Sequence, residues 1–388
     1  MRRTANTEEA SRRALRRAVR ELSRTRPPRP DGLPPLLSSR QRRRLEARLE
    51  TAPVETVVEL ARLVGPEPTP EARGLILRAA SARAERLAEP ATLGELSRLA
   101  DHCRGRSPRE LVGLASVLEA DGLVQRFTAS CGPTVIQMIV CESDPVRAFE
   151  IHQDGLRSDD TEDAAGRWQR GLLEAFGGRA IGRPELQIRS RVRSAIGRLK
   201  ALGEIGAMEY RAIRGYADGM HPLNPRGQRA LAKLRARFDG FPAPSDLERL
   251  KRAGPLPSSD LGWSGETMVE ALAAHVTPVT GVRYEQTSPR EGFARGQAWR
   301  HLDRASRVLR QGIEVPFGTQ EPAHFMLLTR VRGQKPRREF LVSDPDSGRT
   351  VWIGERSLVK GAFIEEVFDL SRSGERGYID SFFLPLEP

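Results

Sequence analysis

The sequence predicts an α+β protein, and three observations carry that reading. Up to about residue 310, apolar residues recur at helical spacing between arginine-rich positions; beyond it the period falls to two. Between two helical stretches lies an almost wholly apolar run, Gly132 to Glu142, entered through Pro133. Proline suits the first turn of a helix, and a helix apolar on all sides is a buried one. A buried helix followed by consecutive short strands is an α+β layout.

Residues 1–120 read as a helical N-terminal region. Glu8 to Arg24 places Ala10, Leu15, Val19 and Leu22 against arginines at helical spacing, and the prolines at 27, 28, 30, 34 and 35 stop it and attach it loosely. Further helices are expected over Gln41 to Glu50, Val54 to Val64, Pro70 to Ala88 and Leu93 to Leu99. One more starts after Ser107, where Ser107 as N-cap, Pro108 and Glu110 make a capping box. Residues 121–388 form the second expected domain, with a helical insertion at about 145–260 that contains Arg189 to Leu202, Pro225 to Phe238 and a surface loop over 215–222. Strands are expected at Ile313 to Phe317, His324 to Val331, Glu339 to Ser343, Arg349 to Ile353 and Tyr378 to Leu384, which are rich in β-branched and aromatic residues and divided by Gly, Pro and Asp.

Composition narrows the function classes. With 38% apolar and 29% charged residues the chain reads as a soluble globular protein. No stretch approaches the about 18 apolar residues that span a bilayer, and the polar start after Met1-Arg2-Arg3 has no signal-peptide core. A cytoplasmic protein is expected, or one delivered by a specialised secretion apparatus outside the general secretory route. Three cysteines, Cys103, Cys131 and Cys141, form no CxxC pair, so neither a disulfide framework nor a zinc site is signalled. The histidines at 102, 152, 221, 275 and 301 lack metal-ligand spacing and read as surface or packing residues. No metal and no cofactor are expected.

The formal charge of +12 raises nucleic acid or anionic membrane as partners. Arginine supplies nearly all of it, a skew that reflects GC-rich coding sequence. Aromatics are only 5%, and no DNA-reading motif is present, so nucleic acid is not an expected partner. The arginines of the first helix read as a solvated face, with a nucleic-acid or anionic-lipid contact as the alternative; the N-terminal region reads as a targeting, adaptor or regulatory module with a protein as its candidate partner.

Chemistry concentrates at Cys131. A thiol at a helix N-terminus faces free N–H groups and the positive end of the dipole, which favours its anion. Gln125, six residues upstream on a polar approach, carries an amide donor that can share an oxyanion site with the Cys131 backbone N–H. Cys141 lies close to the opposite side of the same helix and reads as core. The run Gly262-Trp-Ser-Gly265 falls one residue short of a GxSxG elbow and reads as a loop.

The run from Gln125 through Cys131-Gly-Pro-Thr resembles the nucleophile region of papain-like cysteine peptidases, and most of all the bacteriocin-leader-peptidase-like (double-glycine peptidase-like) branch. His324-Phe-Met-Leu-Leu resembles that family's histidine strand, and Phe340 to Asp344-Pro, with Gly348 beyond it, its Asp-Pro turn. Arg310 to Gly318 resembles the strand leading to the site. The resemblance implies a papain-like fold, with Cys131 as nucleophile, His324 as its base, Asp344 orienting the histidine and Gln125 at the oxyanion. Asp346 is the alternative to Asp344. The resemblance covers about residues 120–145 and 300–360; the long helical span between them departs from the compact peptidase, and no GxxxxGK[ST] motif accompanies it.

The expected activity is cleavage of a protein or peptide by a bacterial thiol protease through a thioester. The same Cys-His-Asp set serves a glutamine deamidase or transglutaminase-like effector toxin. A reading of another class is a non-catalytic adaptor or nucleic-acid-binding protein carrying a relic of the domain.

Overall fold

Arg2–Arg24 (α1), Ser39–Thr51 (α2), Val54–Leu63 (α3), Pro70–Ala82 (α4), Pro90–Cys103 (α5) and Pro108–Leu114 (α6) realise the helical periodicity of the N-terminal region. The structure, a computed structural model, describes residues 2–24, 37–65, 69–118, 122–127, 130–158, 160–178, 188, 192, 195–217, 222–253, 263–287, 295–320, 323–363, 367 and 378–386. The proline-rich linker at 27–35, half of the expected loop at 215–222 with His221, part of the expected helix from Arg189, and Gly262 lie outside them.

Local signals explain the helix limits. Ser38 caps α2 through a capping box with Gln41, and Ser107 caps α6 through one with Glu110. Pro70 and Pro90 stand in the first turns of α4 and α5, so α5 starts earlier than its apolar pattern suggests. The expected helix to Ala88 stops at Ala82, and a 3-10 turn over Ala84–Arg86 follows. The buried Arg83 guanidinium at this break pairs with Glu95 at 2.7 Å and with Asp144. On α1, Leu15, Ala18, Val19 and Leu22 are buried while Arg13, Arg16, Arg17 and Arg20 face solvent.

Contacts divide the chain into two compact units. The first comprises Met1–Val124, Cys131–Ser158 and Ser264–Pro388; the second comprises Gln125–Ser130 and Asp159–Trp263. The N-terminal helices therefore share a unit with the Cys131 helix and the sheet, and the helical segment set apart begins at Asp159 rather than near residue 145. The reason is long-range packing that periodicity does not reveal. Val146, at the start of Pro145–Asp154 (α8), joins the core of Leu15, Leu45, Leu60, Ile76 and Leu96.

Cys131–Ser143 (α7) is buried without interruption from Cys131 to Cys141 and packs on the histidine-bearing strand. Among the described residues the sheet has six strands: β1 (Tyr284–Thr287), β2 (Val315–Gln320), β3 (Ala323–Arg332), β4 (Glu339–Ser343), β5 (Thr350–Gly354) and β6 (Ile379–Pro385), in the order β1-β6-β2-β3-β4-β5 with antiparallel neighbours. Helix and antiparallel sheet in one unit make an α+β architecture. One core joins Leu302, Ala305 and Leu309 of the helix Arg295–Leu309 to Phe317, Met326, Leu328, Phe340 and Phe382 of the strands. Gly318, opposite Phe325, marks a register shift between β2 and β6; a Cβ there would stand 2.6 Å from Ser381 Oγ.

Two elements of this unit carry weak sequence signals. The four-residue β1 buries Tyr284 alone. The π-helical turn Leu272–Val276 precedes Thr277–Thr280, because Pro278 lacks an N–H and its ring crowds the carbonyl four residues before it. At the carbonyl end of that short helix, Arg40 donates to Gly281 O at 2.8 Å and Arg44 to Val279 O at 2.5 Å, where the helix dipole favours cations.

The second unit has its own core, in which Ile188, Val192, Ile196 and Leu199 meet Ile213, Leu231, Leu234 and Leu250. Its helices include Ala164–Ala175, Ala207–Ala217, Pro225–Arg237 and Pro244–Ala253. Asp163 caps the first of these and pairs at 2.9 Å with the fully buried Arg126. Among the described residues no helix is long and apolar enough to cross a membrane.

A partly buried acidic pair, Glu142 at the far end of α7 and Glu314, gives the first unit a pH dependence. Burial raises Glu314 to about 7, the Glu142 carboxylate adds to the rise, and Arg78 and Arg330 act against it. Glu142 is itself raised by burial, although Ser116 Oγ and Val117 N donate to it at 2.7 and 2.9 Å. In the folded state Glu314 keeps a proton that the unfolded chain releases above the ordinary glutamate range. Stability is therefore lost as pH rises through that range toward 7, by about 3 kcal/mol for a shift of this size. Glu314→Gln, neutral at every pH, is expected to raise the thermal midpoint at pH 8 and leave it nearly unchanged at pH 4.5. Equal shifts at both pH values would assign the effect to packing.

Candidate active site

Three chain segments of the first unit supply the site. α7 begins at Cys131, so the thiol stands at the end of the helix where N–H groups lack intrahelical partners. His324 lies at the start of β3, and Asp344 directly follows β4, which pairs with β3 through Leu327 and Ser343. Adjacent strands thus bring the imidazole and the carboxyl to one end of the sheet.

His324 Nε2 lies 2.6 Å from Asp344 Oδ1, and the ring also hydrogen-bonds to the Cys131 side chain. With Nε2 on the carboxyl, Nδ1 is the ring nitrogen left for the sulfur. The Asp344 carboxyl is fully enclosed and receives three further donors. Asp346 N–H donates to Oδ1 at 3.0 Å; Ser347 N–H and Oγ–H donate to Oδ2 at 2.9 and 2.6 Å. Donors converging on both oxygens favour the ionised acid. The proton of the 2.6 Å contact then belongs to Nε2, which leaves Nδ1 as the base.

Electrostatics follow from this arrangement. Burial opposes ionisation of Cys131 and is the largest single influence. The His324 hydrogen bond and charge, with backbone bonds from Phe325 and Gly132, together outweigh it and hold the thiol below its ordinary range. Burial likewise works against the imidazolium, yet hydrogen bonds to Asp344 and Cys131 and their charges raise His324 to about 10. Asp344 is lowered: burial pushes it up, but His324, Ser347 and Asp346 prevail. These directions describe a thiolate and an imidazolium sharing one proton, the state needed for nucleophilic attack near neutral pH.

The other two thiols differ. Burial raises Cys103 to about 11 and drives Cys141 well above the ordinary range, with the charges of Asp144 and Glu142 adding to the latter. Of the three thiols, Cys131 alone is held below the ordinary range.

The structure brings Cys131, His324 and Asp344 together in one unit. Asp344 is the acid on the ring, and Asp346 contributes a backbone donor to it. Gln125 is buried and belongs to the segment that groups with the second unit. Among the described histidines, His102 packs at a tilt against Phe149, His301 stacks near Phe382, and His152 Nε2 lies 2.8 Å from Ser116 O. No cluster of His, Cys, Asp or Glu among the described residues is arranged to hold a metal ion.

Sequence reasoning missed Ser347. Its signal is the Asp-Pro-Asp-Ser-Gly turn, in which an aspartate side chain commonly accepts N–H bonds from two or three residues on. Gly348 closes that turn at φ 69°, and a Cβ there would meet Gly122 O and Val124 at 2.7 Å. Gly122 N–H donates to Gly348 O at 2.8 Å, so the stretch 122–124 is laced to the turn that carries Asp344.

No family model, no curated protein and no solved structure matches the chain.

Proposed function

We propose that the chain is a papain-like cysteine hydrolase that cleaves a protein or peptide through a thioester acyl-enzyme. The observation that carries this reading is the hydrogen-bonded series from Cys131 at the start of α7 through His324 to Asp344. The Cys131 thiolate attacks the substrate carbonyl carbon, and the developing oxyanion takes the Cys131 backbone N–H as a donor; the Gln125 amide is the second donor that the resemblance to papain-like peptidases implies. As the C–N bond breaks, the His324 imidazolium gives its Nδ1 proton to the departing amine. Water then attacks the thioester, His324 removes its proton, and the carboxylic acid leaves as the thiolate is restored. Throughout, Asp344 accepts from Nε2 and stabilises the charged ring without taking its proton.

The test is incubation of the native chain, Cys131→Ala and Gln125→Ala with a mixed-sequence peptide library, with new N-termini read by mass spectrometry. Termini made by the native chain and absent with Cys131→Ala are expected, and Gln125→Ala is expected to slow their formation by about 100-fold. Ammonia release from glutamine side chains without new termini would replace cleavage by deamidation. Termini that persist with Cys131→Ala would remove Cys131 from the chemistry.

A further inference from the structure

We infer that Ser347 is a positioning residue for the Cys131–His324–Asp344 site, its hydroxyl holding Asp344 as the unprotonated acceptor that fixes the His324 ring with Nδ1 free for the thiol. The inference rests on the reading of this site as a thiol hydrolase and assigns a task to a residue outside the triad.

The polarity of the hydroxyl carries the argument. A serine Oγ has one proton to give and lone pairs to receive with. The backbone N–H of Arg349 donates to Ser347 Oγ at 3.2 Å, which takes up accepting capacity and leaves the proton for Asp344 Oδ2, 2.6 Å away. The short distance is that of a charge-assisted O–H···O bond.

That bond sets which way the proton lies between Asp344 and His324. If the carboxyl were protonated, Nε2 would be an acceptor, and the neutral ring would carry its hydrogen on Nδ1, pointing a donor at the sulfur. Such a ring cannot take the thiol proton. Each donor on the carboxyl disfavours that alternative. The two N–H donors, of Asp346 and Ser347, are backbone groups that any residue at those positions retains, so the hydroxyl is the one donor that the choice of side chain supplies.

The turn is built to hold this geometry. Asp344 N–H donates to Arg349 O and Gly348 N–H to Asp344 O, both at 2.9 Å, which closes the loop on itself. With Gly348 in the left-handed region against Gly122 and Val124, Ser347 cannot drift without breaking backbone bonds.

Ring NMR of His324 in the full chain tests the inference, using the native protein, Ser347→Ala, Ser347→Cys, Ser347→Thr and Asp344→Asn. Two-bond proton–nitrogen couplings report the tautomer, and a pH titration reports proton affinity. Ser347→Ala is expected to strengthen the proton affinity of the Asp344–His324 pair three- to tenfold and to bring in the Nδ1–H tautomer. Ser347→Cys, close in size but a poor donor, should shift the same way and serves if the alanine variant does not fold; Ser347→Thr should restore native values.

An unchanged midpoint and tautomer in both the alanine and cysteine variants would overturn the role of Ser347, as would a threonine variant that behaves like alanine. The two readings fail separately. If Cys131 in the native chain alkylates as an ordinary thiol, the hydrolase reading falls while the His324 titration still decides the task of Ser347. If Cys131 is activated and the titration does not move, only Ser347 loses its role.

Discussion

His324→Ala is expected to slow alkylation of Cys131 by iodoacetamide at pH 6 by more than about 100-fold. In the native chain the imidazolium and two backbone N–H groups overcome the cost of burying a thiolate. Without the ring that cost acts with little opposition, so the thiol should rise above its ordinary value rather than merely return to it. A thiol titrating near 9 carries about one thiolate in a thousand molecules at pH 6. The native reaction should therefore persist to low pH, and that of the variant should fall tenfold per pH unit. Intact-mass measurement over a pH series separates the two, with Cys103 and Cys141 as internal controls held unreactive by burial. Native labelling that itself falls tenfold per unit below pH 8 would remove the activated thiolate.

Asp144→Ala is expected to destabilise the fold by about 3–5 kcal/mol. Asp144 is buried, pairs with the buried Arg83 at the end of α4, and accepts from Val146 N at 3.1 Å as the N-cap of α8. Truncation leaves a guanidinium enclosed beside Glu95 alone and removes a helix cap worth about 1 kcal/mol. Asp144→Asn keeps the cap and loses the charge, so it should fall between the native chain and the alanine variant in urea unfolding. Because the pair ties the N-terminal helices to the residue that follows α7, the alanine variant should also lose the selectivity of alkylation for Cys131. A variant with a native midpoint would show that Arg83 loses nothing when left beside Glu95 alone, and would overturn the role given to the pair.

The grouping of Cys131, His324 and Asp344 was legible because each carries a local signal. Cys131 had to precede a proline-entered apolar helix, His324 had to open a run of buried strand residues, and Asp344 had to sit in a tight turn. All three leave marks within ten residues. The choice between Asp344 and Asp346 was not legible, since both lie in the same turn and only the hydrogen bonds distinguish the one that meets Nε2. Ser347 escaped notice for the same reason. The strands after residue 310 matched their alternation to within a few residues, while β1 did not stand out, because Tyr-Glu-Gln-Thr buries one side chain and has no alternating apolar pattern.

The division of the chain was the least legible part. Periodicity reports which face of a helix is apolar and nothing about what covers it. α8 reads like any other amphipathic helix of the span after residue 145, yet Val146 sits in the core of the N-terminal helices and Asp144 on Arg83. Likewise the arginines of α2 read as a solvated face, whereas Arg40 and Arg44 close the carbonyl end of a helix more than two hundred positions further along.

The strand order has a consequence for how such a molecule comes into being. β6 lies between β1 and β2, so the sheet is completed by a segment made after every other strand. Synthesis proceeds from the N-terminus, and Cys131 emerges well before His324 and Asp344. Until those strands pair, the thiol has neither its base nor its enclosing core, and it is as unreactive as any free cysteine at neutral pH. On the proposed reading, its reactivity arises as a late event of folding, coupled to the slow, non-local pairing of strands. A nascent or partly unfolded chain would carry three ordinary thiols, and the appearance of one cysteine that alkylates fast at low pH would mark completion of the sheet.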